Sequence, residues 1–388
     1  MISISRLLCD EVGPGDHLRY GNQRNIKDLQ TLPPVVVWNC TRRCNLKCVH
    51  CYADAVPENG YEELTSNEGI ALIDQLAHFG VPVILFSGGE PFMRQDFLEL
   101  ARYASNKGIG VVASTNGTLI TSQIADDISK IGFREIGISL DGIGTSNDRF
   151  RGKEGAFEAA LNGIRCCIST GQRVSLRMTI TRENYTEIPA ILDLVEQEHI
   201  DRVCFYHLAY AGRGKDLHTI DLNHDETRSV VDLICNRTLD YYRRGVHKEV
   251  LLVANHVDGV YLYLKVKKQN PDRAERLMEL LRQNGGNNSG IRIGAVDEAG
   301  NVHPDQFWRT ATLGNVKEKP FGEIWTDMTN PLMRALKNRK VLLKGRCARC
   351  QYLDICNGNL RSRAEVVFHD MWQEDPSCYL TDEEISIA

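Results

Sequence analysis

From Val35 to about Leu208, short β-branched and apolar runs alternate with longer stretches whose apolar positions recur at helical spacing. The runs Val35–Trp38, Val83–Phe86, Gly110–Ser114, Glu135–Leu140, Val174–Ile180 and Val203–Leu208 read as strands. Between them, Ser66–Phe79, Gln95–Lys107 and Ala156–Thr170 read as helices long enough for right-handed crossovers. This rhythm predicts an α/β fold with a parallel, curved sheet. Six units fall short of the eight of a closed (β/α)8 barrel, so the expectation is an open, partial (β/α)6 barrel with its site at the carboxyl ends of the strands. Residues 1–34 form a lead-in punctuated by Gly13-Pro14-Gly15 and Pro33-Pro34, and the core spans 35–245. Residues 246–290 read as a polar helical linker. From 291 to 388 the pattern shifts to short extended pieces, Gly-Asn turns and cysteines, which predicts a small metal-bound domain.

Composition narrows the function. The chain has 388 residues, 42% of them hydrophobic and 25% charged, as in globular proteins. It contains no apolar run of membrane-spanning length, and Met1–Asp10 lacks the pattern of a signal peptide, so a cytoplasmic protein without a membrane partner is expected. A formal charge of -5 with no long basic block argues against nucleic acid. Thirteen cysteines are many for a reducing compartment, where close groups of them read first as metal sites. Cys9, Cys166, Cys167, Cys204 and Cys235 sit among apolar neighbours or on helices and read as packing residues. The other eight include two groups.

The first group follows the first strand: Cys44, Cys48 and Cys51, spaced Cys-x3-Cys-x2-Cys. Three thiolates on one short loop suit three corners of an iron-sulfur cube and leave the fourth iron open to another ligand. A zinc loop is the plainer alternative, although zinc favours paired Cys-x2-Cys ligands. Cys40 precedes the triplet at a spacing that does not extend it. The second group is Cys347, Cys350, Cys356 and Cys378, a closed set that by itself suits zinc or a [4Fe-4S] cluster equally.

With an aromatic ring on each side of its third cysteine, His50 and Tyr52, the triplet resembles that of the radical S-adenosylmethionine (SAM) superfamily. The resemblance implies catalysis through Cys44, Cys48 and Cys51, which would hold a [4Fe-4S] cluster that binds SAM. It also implies SAM contacts from Tyr52, from Gly88, Gly89 and Glu90 in a Gly-Gly-Glu-Pro string, and from Ser114, Asn116 and Ser139 at later strand ends. Asn-Gly and Asp-Gly pairs at those ends are also ordinary loop formers. Arg177 points into the same region if strand alternation holds. It could meet the SAM carboxylate or serve in an ion pair.

The C-terminal part resembles the SPASM extension, in reduced form. Asp305 and Leu360 stand where the full pattern has cysteines, which implies one auxiliary [4Fe-4S] cluster on Cys347, Cys350, Cys356 and Cys378. Nearly end to end, the chain resembles the tetrapyrrole-modifying branch, AhbC and its relative NirJ. The strings Met1–Arg6, Leu18–Gly21, Phe205–Gly214, His303–Trp308 and Glu374–Leu380 carry that resemblance. It implies an iron tetrapyrrole substrate and a low-potential electron donor such as ferredoxin or flavodoxin. The implied reaction is removal of acetates from 12,18-didecarboxysiroheme to give Fe-coproporphyrin III, with NirJ-like removal of propionates, or peptide maturation by a SPASM enzyme, as alternatives. Such a substrate calls for guanidinium groups for its carboxylates and an imidazole for its iron. The candidates are His207, Arg213, His256, His303 and Arg309, although a lone histidine near a strand end is commonly a satisfied structural residue.

Overall fold

The computed structural model describes residues 1–21, 31–58 and 60–386, so part of the 1–34 lead-in lies outside the described residues. Eleven strands form one sheet. In chain order they are β1 (Ile2–Ser3), β2 (Val35–Thr41), β3 (Val83–Gly88), β4 (Gly110–Thr115), β5 (Glu135–Ser139), β6 (Val174–Ile180), β7 (Arg202–His207), β8 (Glu249–Val253), β9 (Ile293–Val296), β10 (Asn301–His303) and β11 (Gly314–Asn315). Their spatial order is β1-β8-β7-β6-β5-β4-β3-β2-β9-β10-β11. Strands β2 to β8 pair in parallel with their sequence neighbours, and β9 adds in parallel to the other side of β2. The sheet is therefore open, as the six-unit pattern predicts, but it runs further at both ends.

The crossovers form where their apolar stripes predict. Helix Ser66–Phe79 starts at a capping box in which Thr65 and Glu68 satisfy each other's backbone amides, stops at Gly80 in the left-handed region, and buries Leu72, Ile73 and Leu76. Helices Phe97–Asn106 and Ala156–Ser169 likewise fill the predicted stretches to within about two residues. Alternation along the strands then sorts side chains to two faces. On β5 and β6, Ile136, Ile138, Leu176 and Met178 join the core under the helices. Ser139, Arg177 and Thr179 face the inner side and line a cavity.

The span 246–290 is not purely helical. Glu249–Val253 is a strand, β8, paired with β7, and only then do helices Val257–Gln269 and Pro271–Asn284 follow. All five residues of β8 are buried, so the run shows no polar alternation and cannot be distinguished by pattern from a buried helix segment. The C-terminal residues are also bound into the sheet, since β9 pairs with β2. Within the lead-in, β1 pairs antiparallel with β8.

One interior ion pair fastens the C-terminal segment over the barrel mouth. The fully buried guanidinium of Arg363 pairs with Asp375 at 2.9 Å and donates to the carbonyls of Leu208 and Ala254, just beyond β7 and β8. Asp375 also accepts from the backbone amides of Leu360 and Ser377. Removing one partner of such a pair strands the other charge in low dielectric, at a cost of about 3–5 kcal/mol. Asp375→Ala is expected to lower the anaerobic urea midpoint of the reconstituted protein accordingly. Arg363→Met combined with Asp375→Leu is expected to recover part of the loss; an unchanged midpoint in Asp375→Ala would show that the pair is not needed.

Candidate active site

The triplet cysteines lie on a loop laid across the carboxyl ends of the strands. Its two ends are joined by Cys44 N–H donating to the Val56 carbonyl at 2.8 Å and Val56 N–H to that of Arg42 at 3.0 Å. On one side it leans on helix Thr145–Arg151, where the amides of Lys47 and Val49 donate to the carbonyls of Arg151 and Phe150. On another side it meets the turn after β3. Gly89 N–H donates to the Thr41 carbonyl and Glu90 N–H to that of Arg43, both at 2.7 Å. A Cβ on Gly88 would collide with the Thr41 carbonyl oxygen and one on Gly89 with that of Arg43, and Gly88 has φ +124°. The paired glycines thus serve a close approach to the cysteine loop itself.

Cys44, Cys48 and Cys51 line one cavity together with Tyr52, Gly88, Gly89, Ser114, Asn116, Ser139, Arg177, His207 and Arg213. Its volume is about 150 Å³, and it opens toward solvent. Pockets of roughly 300–1,000 Å³ are usual for small-molecule ligands, so a ligand held here would extend into the open mouth. Each sulfur has a donor. Cys44 Sγ accepts from Leu46 N–H at 3.4 Å, Cys48 Sγ from Arg151 Nη1 at 3.6 Å, and Cys51 Sγ from Ala55 N–H at 3.5 Å. Burial pushes the Cys44 thiol up to about 12. A free thiolate nucleophile is thereby disfavoured, whereas a metal would supply the positive charge that ionises the sulfur. Among the described residues no group of His, Cys, Asp or Glu converges tightly enough for a single metal ion. Sulfurs sharing a cavity, with N–H donors already directed at them, suit the larger iron-sulfur cluster.

Other predicted residues turn out to hold this loop. Tyr52 donates through its hydroxyl to Asn39 Oδ1 and bonds Ser87 Oγ at 2.8 Å. Glu90 does not line the cavity. Fully buried, it accepts from Thr115 Oγ1, Asn116 N–H and Phe92 N–H, and burial pushes its carboxyl up to about 7. Asn116 Nδ2 donates to Asn45 on the cysteine loop. Arg213, expected at a substrate carboxylate, instead donates from Nε and Nη1 to the carbonyls of Cys48 and Ala55 and staples the loop from β7's side. Arg177 is the least engaged cation at the cavity. Its nearest carboxylate, Glu135, is 3.7 Å away, its Nε has no hydrogen-bond partner, and Gly137 leaves the space that its guanidinium fills.

Three substrate candidates lie outside the cavity. His303 bonds the Ala311 carbonyl through Nδ1 and Asp297 through Nε2, and is 2% exposed. Arg309 pairs with Glu298 at 2.7 Å. His256 is buried, and its backbone amide is tied to Asn359. None of these contacts follows from the spacing of the cysteines. Conversely, Arg151, Tyr206 and Phe307 line the cavity without having been singled out. Arg151 pairs with the buried Asp141 at 2.6 Å, and Phe307 packs edge-on against Tyr52. His50 lies 3.5 Å from Asp141, and burial lowers it to about 4, so its ring is neutral.

The second cysteine group also meets. Cys347, Cys350, Cys356 and Cys378 line one cavity of about 30 Å³. Cys40, 1% exposed, belongs to the main core with Cys9, Cys167 and Cys235, and Cys204 belongs to a smaller one. All thirteen cysteines are free of disulfides.

A parallel barrel carrying three thiols, two of them buried, on the loop after its first strand defines a radical SAM architecture. The family comparison agrees: residues 38–195 match the model of the radical SAM superfamily. The chain is 55% identical to Fe-coproporphyrin III synthase of Methanosarcina barkeri, over 99% of each chain. It is 42% identical to pre-heme d1 synthase of Dinoroseobacter shibae, over 92% of this chain and 89% of that one. The fold is also that of Streptococcus suis SuiB bound to precursor peptide SuiA, with a TM-score of 0.73 and 18% identity over 92% of this chain and 78% of that one. The chain belongs to the radical SAM superfamily, whose cofactors are SAM and a [4Fe-4S] cluster.

Gly89→Ala is expected to push the Arg43 carbonyl away and with it the cysteine loop. The reconstituted variant should then lose most of its triplet-bound iron and SAM cleavage, read by iron analysis and deoxyadenosine release. Wild-type values for both would rule out the close-approach role of Gly89.

Proposed function

We propose that this chain removes acetate side chains from 12,18-didecarboxysiroheme to leave Fe-coproporphyrin III. One observation carries the reading: 55% identity to the Methanosarcina barkeri Fe-coproporphyrin III synthase across essentially the whole of both chains. The cavity supports it, being bordered by aromatic and apolar residues and supplied with a lightly engaged cation in Arg177. The 42% identity to pre-heme d1 synthase supports a second reading, removal of propionates.

In the proposed site Cys44, Cys48 and Cys51 hold the cluster. When bound, cluster and SAM supply a 5′-deoxyadenosyl radical by one-electron reduction of the sulfonium. Arg177 offers its guanidinium to a carboxylate, while the backbone around Gly88, Ser114, Asn116 and Ser139 shapes the cofactor's side of the cavity. Tyr52, Tyr206 and Phe307 wall the cavity and would limit side reactions of a reactive intermediate. Cys347, Cys350, Cys356 and Cys378 hold one auxiliary cluster, making two in total. A low-potential donor such as ferredoxin or flavodoxin supplies the electron.

Anaerobic incubation with dithionite, SAM and 12,18-didecarboxysiroheme, followed by mass spectrometry, is expected to yield products lighter by acetate units. Loss of propionate units would favour the second reading, and an unaltered tetrapyrrole alongside deoxyadenosine release would defeat both. Iron analysis of the reconstituted chain is expected to give about eight irons, four for each cluster. Replacing Cys347, Cys350 and Cys356 by Ala should lower this to about four; zinc at that position would disprove the auxiliary cluster.

A further inference from the structure

A second cavity of about 600 Å³ adjoins the one at the cysteine loop. Its size lies within the range of roughly 300–1,000 Å³ usual for small-molecule sites. His207 and Tyr210 line both cavities, so the last residue of β7 stands at the wall between them. The outer side of the second cavity carries His218 and His224, beside Asp221, whose oxygens accept from the Tyr210 hydroxyl and the Leu222 amide, and the exposed Asp225. Both histidines are exposed and bonded to backbone carbonyls, of Lys215 and Pro376 respectively.

The imidazole of His207 is held at one nitrogen only. Its Nε2 lies 3.0 Å from Asp258 Oδ2, and the other oxygen of that fully buried carboxylate accepts from the Tyr379 hydroxyl at 2.8 Å. Asp258 lies in the first turn of helix Val257–Gln269, where the helix dipole favours an anion. Opposite a carboxylate, the neutral ring carries its proton on Nε2 and leaves the Nδ1 lone pair free. No hydrogen bond to Nδ1 occurs among the described residues, and that atom is not among the buried unpartnered ones. The alternatives are less suitable. His303 has both nitrogens bonded, and the free Nδ1 atoms of His50 and His256 are buried.

A carboxylate-oriented imidazole with its lone pair directed away is the arrangement that holds a metal-ligating histidine in a fixed tautomer and raises its basicity. We propose that Nδ1 of His207 is the axial ligand to the iron of the tetrapyrrole substrate, oriented by Asp258 and Tyr379, with the macrocycle occupying the second cavity. This rests on the tetrapyrrole reading and adds to it where the substrate sits and what fixes it. The acetate groups lie on the rim of the macrocycle, well out from the iron. Ligation at the wall between the cavities therefore leaves the rim to reach the cysteine-loop side. Asp258 and Tyr379 act as positioning residues, and Tyr379 directly follows Cys378, so the ligand is anchored to the segment that carries the second cysteine group.

The test compares siroheme with its iron-free counterpart, sirohydrochlorin, on the reconstituted wild-type and His207→Ala proteins. With ferric siroheme, wild type is expected to show a shifted Soret band and the high-spin paramagnetic resonance signal of iron with one imidazole ligand. His207→Ala should bind siroheme at least tenfold more weakly, lose the Soret shift and regain it with added imidazole. Both proteins should bind sirohydrochlorin equally. In wild type carrying isotopically labelled histidine, pulsed resonance should detect a histidine nitrogen coupled to the iron, a measurement that does not depend on the variant folding. Binding of both tetrapyrroles with no coupled histidine nitrogen, or with an unchanged spectrum in His207→Ala, would overturn the ligand assignment alone. Failure of wild type to bind either tetrapyrrole would overturn the substrate reading and the assignment with it.

Discussion

Two hydrogen bonds between stretches of backbone hold the chemistry of this protein in place. The turn after β3 donates from Gly89 and Glu90 into carbonyls at the start of the cysteine loop, and it can come that near only because Gly88 and Gly89 have no side chains. A fourteen-residue excursion with three sulfurs would otherwise be free to sample many conformations, each ordered residue costing about 1–2 kcal/mol of backbone entropy. Contacts from Arg213, Asn116 and helix Thr145–Arg151 add constraints from three further directions. The loop is thus held by the barrel's own contacts.

The two faces of the sheet have opposite chemistry. Beneath the helices, the strands contribute Ile, Leu, Val and Met to a continuous core. At the carboxyl ends, charge is buried in pairs, Arg151 with Asp141 and Arg363 with Asp375, while the Asp258 carboxylate is held by His207 and the Tyr379 hydroxyl. Such pairs add little net stability over apolar substitutes, but each fixes a direction as well as a distance. Rigid orientation is what radical chemistry requires, because a misplaced reactive carbon meets the wrong hydrogen.

Much of this was readable from the chain alone, because local rules govern it. Strand parity placed Arg177 on the inner face, and the spacing of Cys44, Cys48 and Cys51 brought them to one cavity. Where a candidate's side chain proved otherwise engaged, no local pattern announced the partner. Nothing near His303 announces that both its nitrogens are engaged, nor does Arg213 reveal that its acceptors are carbonyls well over a hundred residues earlier. Glu90 looked like a ligand because it neighbours two glycines, yet its oxygens serve the end of β4. Strand β8 escaped notice because burial on both sides erases the alternation by which a strand is recognised.

The place of β2 has a consequence for how the chain is made. This strand lies between β3, which follows it closely, and β9, which is synthesised near the end. On the ribosome, one whole side of Val35-Val36-Val37-Trp38 therefore waits without its hydrogen-bonding neighbour. An apolar, flat, unpaired edge is a template for other chains. Chaperone capture of the nascent barrel, and slow synthesis of the C-terminal third, would accordingly govern how much of this protein escapes aggregation when it is overproduced.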